Sequence, residues 1–316
     1  MKKFLKQLFI WVVVLFIVSL FMDMVITSGL RKTDLRKYAV WNDIYNKEIN
    51  ADVVVIGSSR AWCGYSTYII DSLLNCNSYN LGFDGHPFDF QLIRYNTYKR
   101  FNKDPQMVII NTEFLSTLGN SAESLYEREQ FFPYITDDSL ISLVAAAKKI
   151  TFFDRYLPLY RYFGYRDDCE NGIAAFFGKR DFFDGGMHKG YRGNEWVWSR
   201  GSTIDSDTII YAGIDRNIAN NLDTFCKDLS GNNITVVMVK SPVYHLLFEK
   251  FAGIGISDSV YNSISKKYGI PILNYYNSPI NMDSTNFYNP SHLNKKGSEL
   301  FTIQLCHDID SLQLLN

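Results

Sequence analysis

The sequence lacks an excess of charge of either sign. Its 32 lysine and arginine residues nearly balance 33 aspartate and glutamate residues, for a formal net charge of -1 at pH 7. Binding to nucleic acid needs a clustered basic surface, so no nucleic-acid partner is expected. Internal repeats and low-complexity tracts are also missing. The 316 residues, 47% of them hydrophobic, are enough to bury one large core.

Cysteine pairs are missing as well. Five cysteines are spread along the chain without a Cys-x-x-Cys motif, so neither a zinc site nor a thioredoxin-like site is predicted, and no metal or cofactor is expected. We predict a helix over residues 62–74, which would hold Cys63 and Cys76 about 20 Å apart at ~1.5 Å per residue. A disulfide needs Cα atoms within about 7 Å, so these two cannot pair. Disulfides are therefore not the framework of this fold.

One long apolar run lies at the N-terminus. Three lysines precede the stretch from Leu8 to Ile26, which approaches the ~20 residues that span a bilayer. No A-x-A-like site follows it, which favours an uncleaved anchor over a cleaved signal peptide. Basic residues also follow the run, so the orientation rests partly on the lack of a second apolar run. We predict a single-pass anchor at 1–28 and a connector at 29–50.

Strands and helices alternate in the rest of the chain. The run from Ala51 to Gly57 is typical of a strand buried on both faces of a parallel sheet. Further strands are predicted near 78–81, 107–110, 234–239 and 271–273, with helices between them. The alternation predicts an α/β fold with three layers, α/β/α, around a flavodoxin-like parallel sheet in a domain at 51–316.

The alternation breaks between about residues 115 and 211. This segment is rich in aromatic residues and glycine, and we predict an insertion that covers the site as a lid or recognition element. Tyr191, Trp196 and Trp198 could stack on sugar rings. The same residues could equally form the insertion's own core.

Two serines follow the first predicted strand, in Gly57-Ser58-Ser59-Arg60. Ligands of doubly wound sheets sit beyond the carboxyl ends of the strands, where the strand order reverses. A serine that opens a helix there lies beside free backbone N–H groups that favour an oxyanion. The alternative is that either serine only caps the helix.

A histidine stands in the loop before the last predicted helix, in Asn289-Pro290-Ser291-His292. This loop also faces the carboxyl end of the sheet, so His292 could act as the base for a serine across the sheet. His86 is the nearest rival. A lone histidine is more often a packing or surface residue.

These segments together resemble the sequence blocks of the SGNH/GDSL hydrolases. Residues 57–59 are similar to the Gly-Asp-Ser block, in the Gly-Ser-Ser form of some membrane-anchored members, and Asn80-Leu81-Gly82 is similar to the second block. Asn111 stands for the asparagine of the third block, although the surrounding Gly-x-Asn-Asp is absent. Residues 289–292 match the final Asp-x-x-His block, with asparagine in place of aspartate. The matching regions, 51–111 and 232–306, cover a little under half the chain.

The resemblance implies a serine nucleophile at Ser59 with His292 as base and Asn289 as its partner. It also implies an oxyanion hole from the backbone N–H groups of Ser59 and Gly82 and the side chain of Asn111. Such proteins hydrolyse or transfer acyl esters. Anchored relatives, including the D-alanyl-transfer protein of teichoic-acid modification and alginate O-acetylation proteins, often work beside a membrane-bound O-acyltransferase.

We therefore predict a serine esterase or O-acyltransferase, held at the cell membrane with its catalytic domain on the periplasmic or extracellular side. Its substrate would be an acylated cell-envelope polysaccharide, a lipid-linked glycan or a small ester. The alternative is a catalytically weak or inactive SGNH-fold scaffold, or a glycan-binding partner of a membrane-bound O-acyltransferase, because Asn289 carries no carboxylate.

Overall fold

The computed structural model describes residues 1–113, 127–145, 150–179, 187–198, 209–211 and 215–315. Contacts divide the chain into two compact units, Met1–Asp43 with Leu125–Gly185 and Ile44–Ser124 with Gly186–Asn316. The helices are, in chain order, α1 (Lys2–Leu30), α2 (Arg36–Asn46), α3 (Ser59–Gly64), α4 (Thr67–Leu74), α5 (Phe88–Phe101), α6 (Asp138–Ala145), α7 (Phe152–Tyr156), α8 (Arg166–Phe176), α9 (Arg216–Gly231), α10 (His245–Phe248), α11 (Ile254–Tyr268) and α12 (Lys295–Ser311). Short 3-10 helices lie at Arg128–Tyr134, Tyr160–Tyr162, Pro279–Met282 and Ser284–Asn286.

A five-stranded parallel sheet forms the centre of the second unit. Its strands are β1 (Val53–Ile56), β2 (Ser78–Asn80), β3 (Met107–Asn111), β4 (Thr235–Lys240) and β5 (Ile272–Asn274). They lie in the order β2-β1-β3-β4-β5, and every neighbouring pair is parallel. The predicted α/β fold with a flavodoxin-like sheet is confirmed. The strand order reverses between β1 and β3, so the crevice of this fold lies beyond their carboxyl ends.

Both faces of the sheet are covered, and its strands β1 and β3 are apolar except for Asn111 at the end of β3. Every residue of β1 and β3 is buried. Alternate side chains face opposite sides. On one side Val55 and Ile109 share a core with Leu305 of α12, and burial of each such side chain contributes about 1.5–3 kcal/mol. On the other side α5 packs on α9 through Tyr95 and Phe225, whose ring centroids are 5.0 Å apart.

The helix predicted over residues 62–74 is two helices. The helix α3 ends at Gly64, Tyr65 and Ser66 have extended backbone angles, and α4 begins at Thr67. The separation of about 20 Å predicted for Cys63 and Cys76 assumed one continuous helix, at ~1.5 Å per residue. That assumption was wrong. All five cysteines are nevertheless free.

Three pairs of short strands complete the secondary structure of the described residues. Two pairs are antiparallel, Met187–His188 with Tyr191–Arg192 and Phe287–Asn289 with His292–Leu293. The third, Ile210–Tyr211 with Phe251–Ala252, is parallel. The pair at Phe287–Leu293 matters for the site because it carries the predicted base.

The first unit is built around the C-terminal end of α1. Val25, Ile26, Gly29 and Leu30 are buried in this unit, where α1 packs on α8. A Cβ atom added to Gly29 would lie 1.6 Å from the backbone oxygen of Gly172, so the two helices cross where neither has a side chain. Most apolar side chains from Phe4 to Met24 are exposed, and the 29-residue helix is long and apolar enough to cross a membrane.

Candidate active site

The two serines after β1 point in different directions. Ser59 is the first residue of α3, and its backbone N–H therefore has no acceptor within the helix. Ser58 precedes the helix, and its buried hydroxyl donates to Oε1 of Glu113 at 2.6 Å. The Oγ atom of Ser59 lies instead 2.7 Å from Nε2 of His292. Of the two, only Ser59 presents its hydroxyl to an imidazole.

A small antiparallel hairpin carries the histidine. Asn289 lies opposite His292 in the ladder between Phe287–Asn289 and His292–Leu293. The hairpin is tied to the loop after β4, because the backbone N–H of Tyr244 donates to the carbonyl of Pro290 at 3.1 Å. The helix α12 follows directly, with the Asn294 side chain accepting from the backbone N–H of Gly297 at its start. His292 is thus held at the carboxyl end of the sheet by flanking structure.

Asn289 and His292 meet within hydrogen-bond distance. Oδ1 of Asn289 lies 2.9 Å from Nδ1 of His292 and also accepts from the backbone N–H of Ser291 at 3.0 Å. A backbone N–H can only donate, so the oxygen of the amide, and not its nitrogen, faces the ring. The amide oxygen in turn requires a hydrogen on Nδ1. Nε2 is then the basic nitrogen, and it is the one that faces Ser59.

Ser291 closes a small network around Asn289. Its Oγ donates to Oδ1 of Asn289 at 3.0 Å and lies 2.8 Å from Nδ1 of His292. The nearby carboxylate of Asp283 does not take the place of the missing aspartate. It accepts from Thr285 at 2.8 Å and pairs with Lys296 at 3.5 Å. The imidazole is oriented by neutral oxygen atoms.

The environment keeps His292 uncharged. Burial, followed by the positive charge of Arg60, lowers the pKa of His292 to about 4. Both causes disfavour the imidazolium. At neutral pH the ring is therefore in the form that accepts a proton from a serine hydroxyl. The side chain of Tyr288 stacks on it, with ring centroids 5.3 Å apart.

Two of the predicted oxyanion donors already donate hydrogen bonds to oxygen atoms of the protein itself. The backbone N–H of Gly82 donates to Oδ1 of Asn80 at 2.8 Å. The Nδ2 atom of Asn111 donates to Oε1 of Glu113 at 2.7 Å, and its Oδ1 accepts from the Tyr65 hydroxyl at 2.7 Å. Gly82 is required by space, since a Cβ there would lie 2.5 Å from the backbone nitrogen of Trp62. Both residues are buried beside the helix that Ser59 opens.

Glu113 is the residue that sequence reasoning missed. Its carboxylate is buried and accepts from both Ser58 and Asn111. Its backbone oxygen accepts from the Tyr261 hydroxyl at 2.7 Å, which fixes the chain just beyond β3. The available signal was its position two residues after Asn111, at the end of a buried strand.

Arg60 is the second such residue. Its guanidinium is buried and donates to the backbone oxygen and the hydroxyl of Ser241, at 2.7 Å and 2.9 Å, and to the backbone oxygen of Pro242 at 3.1 Å. It therefore ties the helix that begins with Ser59 to the end of β4. The signal was a lone arginine four residues after the end of a buried strand, where a charge needs built-in partners.

The aromatic residues proposed for recognition divide into two kinds. Tyr191 and Trp198 are buried, and the Trp198 ring packs on Tyr244 at 4.9 Å. Trp196 is 78% exposed. The rival histidine, His86, stacks on Phe83 at 3.7 Å and bonds to the backbone oxygen of Asp84. Parts of the insertion, including 114–126 and 199–208, lie outside the described residues.

Comparison with known proteins adds little to this geometry. No protein-family model matches the sequence, and no curated protein matches it. The chain is similar to a solved structure from Bacteroides fragilis that is provisionally assigned as an acylhydrolase, at 13% identity and a TM-score of 0.37. The similarity covers 81% of this chain and 86% of the other. A likeness this distant says nothing about activity. In the part of the chain that the structure describes, no group of three or more His, Cys, Asp or Glu side chains is placed to hold a metal ion.

Proposed function

We propose that this protein is a serine ester hydrolase or O-acyltransferase of the SGNH type, with Ser59 as nucleophile and His292 as base. The observation that carries the proposal is the chain of contacts from Ser59 Oγ to His292 Nε2 at 2.7 Å and from Nδ1 to Asn289 Oδ1 at 2.9 Å. A serine hydroxyl is a weak nucleophile until a base accepts its proton. Here the imidazole of His292 is neutral at pH 7, and its Nε2 atom faces the Ser59 hydroxyl.

The reaction has two halves. Ser59 Oγ attacks the ester carbonyl carbon while His292 Nε2 takes the hydroxyl proton. The tetrahedral intermediate collapses, the ester C–O bond breaks, and His292 returns the proton to the leaving alcohol. In the second half His292 takes a proton from water or a sugar hydroxyl, which attacks the acyl-enzyme. An acid or a new ester leaves and Ser59 recovers its proton.

The oxyanion would be stabilised by the backbone N–H groups of Ser59 and Gly82 and by the Asn111 side chain. Support comes from the position of Ser59 at the start of α3, where the helix end favours negative charge. Glu113 would act as a positioning residue that fixes the Asn111 amide. Because Gly82 donates to Asn80 in this structure, its N–H would have to be shared with the substrate oxygen.

The substrate class follows from the anchor. We propose that α1 crosses the cell membrane once, with the second unit on the periplasmic or extracellular side, where the site meets acylated polysaccharide or lipid-linked glycan. Support comes from the length and exposed apolar surface of α1. A membrane-bound O-acyltransferase is a fitting partner for such a site. An exposed Trp196 offers a face on which a sugar ring could stack.

A second function is supported by three observations. Asn289 supplies no negative charge to stabilise an imidazolium, and the Gly82 and Asn111 donors already have protein acceptors. A scaffold or glycan-binding partner of a membrane-bound O-acyltransferase would tolerate all three. The two functions differ in whether Ser59 reacts.

A fluorophosphonate ester probe separates the two functions. We expect the probe to label Ser59 in the full-length protein, and labelling to disappear in Ser59→Ala with the circular dichroism spectrum unchanged. The matched control is Ser58→Ala, which removes the neighbouring hydroxyl and should keep its labelling. Labelling that persists in Ser59→Ala would disprove the assignment, and no labelling of the wild type would favour the scaffold.

The anchor is tested separately. Full-length protein should resist extraction from membranes by carbonate, and protease added outside the cytoplasm should reach the second unit. Release by carbonate alone would contradict a spanning helix. Protease access from the cytoplasmic side only would contradict the orientation.

A further inference from the structure

The first unit exposes a cluster of aromatic side chains, here called the aromatic patch: Phe152, Phe153, Tyr156 and Tyr160. Their side chains are 69%, 55%, 60% and 46% exposed. The rings touch one another in a series, with centroids 5.9 Å apart for Phe152–Phe153, 4.6 Å for Phe152–Tyr156 and 5.6 Å for Phe153–Tyr160. This is a contiguous apolar surface on the part of the chain that holds α1.

The patch is displayed by firmly held backbone. The helix α7 begins with a capping box in which Thr151 and Asp154 bond to each other's backbone N–H groups. Asp154 is buried and pairs with Arg128 at 3.6 Å. One face of α7 is therefore locked into the unit while Phe152 and Phe153 point outward. Their exposure is a property of the fold.

The segment that carries the patch is bonded to α1 at Asp23. The backbone N–H of Leu159, next to Tyr160, donates to Oδ2 of Asp23 at 2.9 Å, and Arg161 pairs with the same carboxylate. Arg161 also donates to the Thr27 hydroxyl at 3.0 Å. The carboxylate within the apolar helix is thus neutralised by the segment that carries the patch.

Asp23 marks the outer end of the exposed apolar part of α1. Sixteen residues, Gln7 to Met22, lie between Lys6 and Asp23. They span ~24 Å at ~1.5 Å per residue, most of the ~30 Å thickness of a bilayer's hydrocarbon core. Nearly all the apolar side chains from Phe4 to Met24 are exposed. The patch therefore lies at the height along α1 where the hydrocarbon core gives way to the headgroups. Aromatic side chains are enriched at this depth because their rings are apolar and tyrosine keeps a polar end in water.

We propose that the aromatic patch lies in the outer interfacial layer of the bilayer that α1 crosses. The partner is lipid, and the segment that carries the patch is bonded to α1 at Asp23, next to the exposed apolar part of the helix. The proposal depends on the anchor and is independent of esterase activity. It would fix the tilt of the first unit against the membrane by a second contact besides the helix itself.

The test uses full-length protein in nanodiscs of phosphatidylcholine with a minority of phosphatidylglycerol. An environment-sensitive NBD fluorophore is attached to Phe153→Cys in a Cys76→Ser/Cys169→Ser background, which leaves only buried cysteines. Phe177→Cys is the matched control. Phe177 is 72% exposed, follows α8, and adjoins Phe176, whose ring lies 5.3 Å from Lys32 Nζ. Lys32 is about nine residues, or ~13 Å, beyond Asp23 along the direction of α1.

Lipids with a nitroxide near the headgroup should quench the label at position 153 by roughly twofold or more and leave the label at 177 nearly unchanged. A label at Phe16→Cys should be quenched by a nitroxide deep in the acyl chain, which checks the anchor independently. Quenching at 16 with none at 153 would overturn the proposal, and a blue-shifted but unquenched label at 153 would overturn it too, because protein rather than lipid would then cover the patch. Equal quenching at 153 and 177 would also overturn it.

Discussion

The two sides of the candidate site are built on different electrostatics. On the side of the proposed nucleophile, here called the nucleophile side, Glu113 and Arg60 are buried among hydrogen-bond partners near the ends of the strands. On the base side, the hairpin that carries His292 orients the ring with the neutral side chains of Asn289 and Ser291. The SGNH pattern places its negative charge behind the histidine. In this chain the buried carboxylate of the site belongs to Glu113, which bonds to Ser58 in the turn before α3.

The difference has a physical reason. A buried charge is tolerated only where fixed donors surround it, and the ends of β1 and β3 in a rigid parallel sheet provide such donors. Ser58 and Asn111 both donate to Glu113. In the hairpin at 287–293, the backbone N–H and the hydroxyl of Ser291 donate to the amide oxygen of Asn289, which is neutral. The proposed nucleophile thus lies beside a buried carboxylate, and the proposed base beside neutral dipoles.

The largest effect is expected from removal of the buried acceptor that Glu113 provides. Glu113→Ala takes away the acceptor that Ser58 and Asn111 share, so we expect kcat/KM for an activated acetate ester to fall about 10²-fold, the loss typical of a misplaced oxyanion donor. Glu113→Gln keeps an acceptor oxygen and should lose much less. Thermal unfolding of both variants separates a folding defect from a catalytic one. An unchanged kcat/KM in a folded Glu113→Ala protein would show that the nucleophile side needs no such support.

The next effect comes from giving the base side its missing charge. Asn289→Asp should raise kcat/KM for the same ester by about tenfold or more, or ~1.4 kcal/mol of barrier, because a carboxylate stabilises the imidazolium formed in the transition state. Ser59→Ala in the same background should remove the gain. If Asn289→Asp is no faster than wild type and Ser59→Ala loses nothing, the triad interpretation fails.

The pH profile should distinguish the two forms of the base side. Since burial and the charge of Arg60 lower the pKa of His292 to about 4, wild-type kcat/KM should stay level down to pH 5 and fall only as pH drops through about 4. In Asn289→Asp the new negative charge favours the imidazolium, raises the pKa of His292 and moves this acid limb to higher pH. The advantage of the variant should thus be larger at pH 7 than at pH 5. An acid limb near pH 6.5 in the wild type would contradict the buried, uncharged imidazole.

The smallest effect is expected at Ser291. Its hydroxyl is one of two oxygens near Nδ1 of His292, so Ser291→Ala should lower kcat/KM only about threefold, the equivalent of ~0.6 kcal/mol for one net hydrogen bond. Asn289→Ala removes the other oxygen and should lower it further. Equal losses in the two variants would mean that both oxygens orient the ring to the same extent.

Much of the architecture was open to prediction because it depends on local patterns. The apolar run at 51–57 predicted a strand buried on both faces, and the alternation of five strands with helices predicted the observed parallel sheet. The length and apolar character of α1 could also be predicted from the sequence. The break between α3 and α4 was not, because Tyr65 and Ser66 leave the helix to reach partners far along the chain. The backbone N–H of Ser66 donates to the Thr302 hydroxyl at 3.0 Å.

The sequence by itself determined which residue types stand at the ends of the strands, since each follows a strand whose apolar pattern sets its end. Only the tertiary structure decided which of the two serines faces the histidine, because Ser59 and His292 are 233 positions apart and meet across the sheet. It also decided that Ser58 turns to a buried carboxylate two residues beyond β3. No local pattern distinguishes a glutamate in a solvated loop from one enclosed by donors, because burial is a property of all the segments that converge on it.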